Sequence, residues 1–122
     1  MKSLINQNFN IELEKLEIIE NLIGSAIVNR NGLLTSSRFP RNIDSRRLGA
    51  MAATMFGAIE TAALTLGNGK VANITVQFND YQVVVLDVNE RLLLVSLLAK
   101  NTNIGLIFIE LEEVIKNIKK IL

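Results

Sequence analysis

The sequence contains no cysteine and no histidine. The first absence excludes thiol nucleophiles and disulfides, the second excludes imidazole as a general base, and together they remove the usual ligands of a zinc site. Neither sign of charge is in excess, with 13 Lys and Arg against 12 Asp and Glu. Nothing global therefore points to nucleic acid or an anionic membrane as partner. Carboxylates paired for acid–base work do not emerge either. Glu110, Glu112 and Glu113 read as the solvated face of a helix, and the acidic residues lack EF-hand spacing. Proline occurs once, at Pro40. The first residues, "MKSLINQNFNIELEKLEIIE", hold no apolar run of signal-peptide length, so no export is expected. The lack of cysteine fits a reducing cytoplasm.

What the chain has in quantity is hydrophobic side chains, 49% of 122 residues. That length predicts one domain over residues 1–122, burying roughly two-thirds of its unfolded surface. So high an apolar fraction in so small a domain implies surface reserved for a partner.

A first helix is expected from about Asn8 to Asn21, with Leu13, Leu16 and Ile19 inward and Glu12, Glu14, Glu17 and Glu20 wet. "IGSAIVNRNGLLTSS" reads as two strands about a tight turn at Asn31-Gly32, since both residues tolerate positive φ. A loop with Pro40 leads to Asp44, placed to cap a long helix over about Ser45–Leu66, and Gly67 and Gly69 are expected to end it in the left-handed conformation. Three strands follow. "VANITVQF" alternates, "YQVVVLDV" is more uniformly apolar, and "RLLLVSLL", apolar on both faces, belongs in the middle of a covered sheet. The last helix starts near Asn103 and shows the best period in the chain, from Ile104, Ile107 and Phe108 through Leu111 to Ile118 and Ile121. The order α-β-β-α-β-β-β-α predicts an α+β sandwich: a five-stranded, mostly antiparallel sheet with helices on both faces.

The long helix raises the functional question. "LGAMAATMFGAIETAALTLG" carries one charge, Glu60, in its twenty residues. At 100° per residue, Leu48, Met51, Ala52, Met55, Ile59, Ala62 and Leu66 form a stripe for the sheet. The opposite side, with Gly49, Ala50, Ala53, Thr54, Gly57 and Thr61, should meet water yet is not polar. Three coverings are open: a membrane, against which Glu60 and the threonines argue; bare exposure of good helix formers; or the same helix of a second copy. Small residues one turn apart, Ala53, Gly57 and Thr61, favour the second copy because they let another backbone approach. The alternating strand offers Asn73, Thr75 and Gln77 on one face and little charge, a sheet edge that either pairs with its symmetry mate or is shielded by loops.

Taken in order, "IGSAIVNRNGLLTSS", "DSRRLGAMAATMFGAIETAALTLGNG" and "RLLLVSLLAKNTNIGLIFIEL" resemble the roadblock family, also called the roadblock/dynein light chain family. The likeness rests on Gly32 after the first strand, on Leu48-x-Ala50-Met51-Ala52-Ala53 opening the central helix, and on Asn103-Ile104-Gly105-Leu106 opening the last. It spans roughly residues 13–121. The resemblance implies a roadblock/profilin-like fold and a homodimer, or a heterodimer with a paralogue, built through the central helix and third strand. It also implies a noncatalytic role with no cofactor, no metal and no direct membrane insertion. Prokaryotic members are associated with small Ras-like GTPases, which they bind and regulate or localise. The alternative is a structural adaptor like the dynein light chains, linking other proteins without effect on nucleotide turnover, and a small-ligand sensor is a weaker third.

Two local signals stay outside the family pattern. "SRFPRNIDSRR" groups Arg38, Arg41, Arg46 and Arg47, either a solvated loop or a contact for an acidic or nucleotide-bearing partner. Glu60 is either at the rim of the dimer seam, against a partner protein, or simply at the surface. "GNGK" at 67–70 is no phosphate loop, because Leu64 stands where the motif needs Gly and Val71 where it needs Ser or Thr.

Overall fold

A computed structural model describes residues 2–122. Its elements are α1 (Lys2–Leu16), β1 (Leu22–Asn29), β2 (Leu34–Arg38), α2 (Ser45–Leu64), β3 (Asn73–Gln77), β4 (Tyr81–Asp87), β5 (Leu92–Ala99) and α3 (Ile104–Ile121). All strand pairs are antiparallel, in the order β2-β1-β5-β4-β3. The doubly apolar β5 lies at the centre, as its composition requires, and β2 and β3 are the two edges.

Two cores sandwich this sheet. On one face, Phe9, Leu13 and Leu16 of α1 and Leu111 and Ile118 of α3 cover Ile27, Leu94 and Leu98. On the other, α2 alone sets Ala52, Ala53 and Phe56 on Ala26, Val28, Leu93 and Val95. The alternation of side chains along each strand sends neighbours to opposite cores.

Helix α1 differs from the expected span at both ends. It begins at Lys2 because Phe9, Leu13 and Leu16 form its inward stripe, a period hidden by the polar run around Asn6–Asn8. It stops at Leu16, after which turn bonds from Glu17 N to Glu14 O and Ile19 N to Leu16 O lead to Asn21 at φ 71°. Ile18 is left 89% exposed. Glu12 is not wet. It is buried between α1 and α3, where its carboxylate accepts from Lys15 Nζ at 2.7 Å and Asn117 Nδ2 at 2.9 Å. Neutralised and bonded in this way, a carboxylate can occupy an apolar seam.

The β1–β2 turn is longer than two residues. Asn29 N donates to Leu33 O, Gly32 N donates to Asn29 O, and only Gly32 takes positive φ, 92°. Asp44 caps α2, its carboxylate accepting from Arg47 N at 3.1 Å, and Asn103 caps α3 in the same manner. At the far end of α2 only Gly67 is left-handed, at φ 91°. Gly69 lies close under the helix end: a Cβ there would stand 2.6 Å from Cδ2 of the exposed Leu64 side chain, which would have to turn aside.

Candidate functional site

Helix α2 carries the surface of interest, and its rotation differs from the expected one. Gly49, Ala52, Ala53 and Phe56 are the buried residues, an i, i+3, i+4, i+7 set. Met51, Ile59, Ala62 and Leu66, expected on the sheet, are exposed, while Leu48 and Met55 lie half-buried on the flank. Gly49 and Ala53, expected on the outer face, instead meet the sheet. A Cβ on Gly49 would stand 3.2 Å from Val28 Cγ2, so small residues let the helix lie close. The bulky methionines suggested the wrong stripe; the single aromatic, Phe56, sets the phase by filling the deepest site.

The outer face is apolar all the same. Met51 is 56% exposed, and Ala58, Ile59 and Ala62 continue the surface. Thr54 and Thr61 are exposed too, yet their hydroxyls donate to Ala50 O at 2.9 Å and Gly57 O at 3.1 Å. Those bonds satisfy the threonines within their own helix, leaving methyl groups for a neighbour. Gly57 has no atom within 4 Å of where its Cβ would be, and Ala50 sits half-buried against the turn at Gly32. The face therefore has width, few unsatisfied polar atoms and room for close approach.

Strand β3 is the second open feature of the fold. It pairs with β4 from Asn73↔Leu86 to Gln77↔Gln82, and its other side has no strand neighbour. Asn73, Thr75 and Gln77 are exposed; Asn73 and Thr75 lie opposite Leu86 and Val84 of the α1/α3 core, Gln77 opposite Gln82, and Ile74 packs against the α2 core.

The arginines do not converge. Arg38 is held against α1, donating from Nε to Glu17 at 2.6 Å and from Nη1 to Asn10 Oδ1 at 2.7 Å. Arg41 is exposed in the loop; Arg46 and Arg47 are exposed in the first turn of α2. Glu60 is not a free surface charge. Both its carboxylate oxygens accept from Arg30 Nη1, each at 2.9 Å, while Arg30 Nη2 donates to Asp87 and Nε to Asn89 O at 3.2 Å. The same guanidinium lies 5.3 Å from the centre of the Phe56 ring. Arg30 and Phe56 are the residues that sequence reasoning passed over. A lone carboxylate in an apolar helix demands a countercharge, and the spacing from Gly49 to Phe56 was the available signal for the phase.

Among the described residues no His, Cys, Asp and Glu group could hold a metal ion, and no helix is long and apolar enough to cross a membrane. A hollow of about 730 Å³ opens beside α1, floored by Phe9 and Leu92 and rimmed by Asn29, Asn89 and Arg91. Its polar groups come from α1, β1, β2 and the turn at Asn89–Arg91, and Asn29 Nδ2 already donates to Thr35 Oγ1 at 3.3 Å.

An antiparallel five-stranded sheet with one helix on one face and two on the other defines a class of small α+β sandwich domains. Residues 10–97 match the family model described as the Roadblock/LC7 domain, and the chain belongs to that family. It is similar to the uncharacterized protein MJ1340 of Methanocaldococcus jannaschii, 34% identical over 109 residues that make up 89% of this chain and 92% of that one. Among solved structures, it is similar in fold to Myxococcus xanthus MglB, with a TM-score of 0.86, 23% identity, and 94% and 87% of the two chains covered. A Roadblock/LC7 domain from Streptomyces avermitilis superposes with a TM-score of 0.84 at 14% identity, covering 91% of this chain and 94% of the other.

Proposed function

We propose that this chain is a noncatalytic dimeric platform that binds a small Ras-like GTPase and regulates or localises it in the cytoplasm. The observation that carries the reading is that one subunit presents both an apolar α2 face and an unpaired β3 edge. A single self-complementary patch serves both partners of a two-fold dimer, so one helix face and one strand edge cover two subunits at once. Pairing β3 with its mate joins two five-stranded sheets, and the apposed α2 helices bury Met51, Ile59 and the threonine methyls. Self-association is also supported by a structural neighbour described as MglB with a tetrameric arrangement. Membership of the roadblock family and the resemblance to its prokaryotic members support a small GTPase as the partner.

GTP hydrolysis and nucleotide exchange, measured on a candidate small GTPase with and without this chain, test the reading. A changed rate or a shifted cellular distribution of the GTPase supports it. Binding with neither effect would make the chain an adaptor, and absence of binding to every small GTPase of the same cell would overturn the assignment.

A further inference from the structure

The buried residues of α2 all lie in its first part, the last of them Phe56. From Gly57 to Leu64 none is buried, and the helix itself rests mainly on β1, β2 and β5. Yet this poorly supported half carries Ala58, Ile59, Thr61 and Ala62, a large share of the face offered to a second copy. One side chain reaches it from the sheet. Arg30 leaves the β1–β2 turn, crosses the Phe56 ring, and spreads its donors over Glu60 of α2, Asp87 at the end of β4 and the backbone carbonyl of Asn89. Its own base is fixed, because Arg30 N donates to Arg91 O at 2.8 Å. The network is one-quarter to two-fifths exposed at its side chains, and several partners share one rigid planar donor group. That arrangement positions better than an isolated surface pair. The loop returning at Gly69 brings Lys70 to the hollow that Arg30 and Glu60 also line, but among the described residues the ion pair to Glu60 is made by Arg30 and not by Lys70.

We propose that Arg30 is a positioning residue for self-association: it fixes the height and rotation of the second half of α2, so that a second copy of this chain can seat on it. The proposal rests on the dimer reading above. Without the guanidinium, Glu60 loses its countercharge and turns toward water, the helix frays beyond Phe56, and ordering those turns becomes a cost of association.

The test combines sedimentation equilibrium over a concentration series with amide hydrogen exchange under dilute, monomeric conditions. Arg30→Met keeps an apolar stem over Phe56 and removes every donor. It should weaken self-association about tenfold, the scale of one charge-assisted hydrogen-bond set. Exchange over residues 58–64 should accelerate by about the same factor while residues 49–56 stay protected. Glu60→Gln should move both quantities the same way by less, and the double variant should match Arg30→Met alone, because the two side chains act as a unit. Arg30→Lys, which keeps the charge and loses the planar fork, carries the same comparison if the methionine variant does not fold. Unchanged association in both Arg30→Met and Glu60→Gln would overturn the proposal, and so would equal acceleration over both halves of the helix. A wild-type chain that stays monomeric at every concentration overturns the dimer reading and not the brace, which the exchange contrast then decides alone.

Discussion

The two edges of the sheet are unlike. At β2, helix α1 leans over the strand, and Asn10 Nδ2 donates to Ser36 Oγ at 3.1 Å and reaches Ser37 O at 3.5 Å. Arg38, at the strand's end, is tied to Glu17 and Asn10, and the ladder to β1 is irregular between Ile27 and Val28. At β3 the register is unbroken, no side chain from Asn73 to Gln77 is charged, and every second residue is exposed. A bulge, an occupied carbonyl and a charge are the devices by which proteins keep an edge from recruiting another chain. One edge of this sheet has them and the other does not. The difference indicates which edge is available to a second copy, and each edge can be changed to test it.

The largest effect is expected from blunting β3. Thr75 is the middle residue of the strand, so in a two-fold antiparallel pair it lies at or next to its own copy. Thr75→Lys would bring like charges together across the axis. Self-association should weaken by about tenfold or more on the scale of 1.4 kcal/mol per decade. The side chain is exposed, so the melting temperature of the dilute subunit should hardly change. Equal sedimentation of variant and wild type would mean that β3 is not the seam.

Next in size is Gly57→Leu. Nothing stands within 4 Å of the Gly57 Cβ position, so the lone subunit accommodates the leucine and gains helix propensity. A second backbone approaching there does not. We expect weaker dimers, by about 1 kcal/mol, the low end of the cost of overpacking a close contact, together with an unchanged or slightly higher melting temperature. Opposite signs for association and stability are the signature, and a fall in both would place Gly57 in the subunit's own core.

How much of this was readable beforehand depends on how each signal is encoded. The central place of β5 was legible because residues apolar on both faces have only one place in a two-sided sheet. The start of α2 at Asp44 was legible because a cap is local chemistry, and the start of α3 near Asn103 from the period of its apolar residues. The phase of α2 was not. Its inward residues are small where the helix hugs the sheet at Gly49 and Val28, so hydrophobicity ranks Met51 and Ile59 above the residues that are buried. The Arg30–Glu60 pair joins positions 30 residues apart, a distance no periodicity reports. Glu12 was misplaced for the same reason, since its partner Asn117 lies 105 residues away.

A smaller effect should follow from opening the guarded edge. Asn10→Ala removes the donor to Ser36 and Ser37 and the acceptor for Arg38. Stability should fall by about 1 kcal/mol, the net worth of one such hydrogen-bond set. The informative readout is light scattering over time. If the contrast between the edges is real, Asn10→Ala should form species larger than the dimer, because both edges are then open to pairing, whereas Thr75→Lys should form smaller ones.

The smallest effects belong to the exposed arginines, and they separate the dimer seam from the partner site. The Arg47 side chain is 82% exposed, and its nearest carboxylate, Asp44, is 4.0 Å away. Such a pair contributes little in water. It also begins a helix, where a cation is mildly disfavoured. Arg47→Ala should therefore leave stability within about 0.5 kcal/mol of wild type. Arg46 is also exposed and lies beside the hollow between α1 and β2, away from the bare edge, so Arg46→Ala should leave self-association unchanged. If either substitution nevertheless weakens capture of a GTPase in a salt-dependent manner, the partner site extends to the start of α2 and uses charge, apart from the apolar seam. If binding is unaffected by both, the basic segment is a solvated loop and the partner must be recognised by the apolar surface alone.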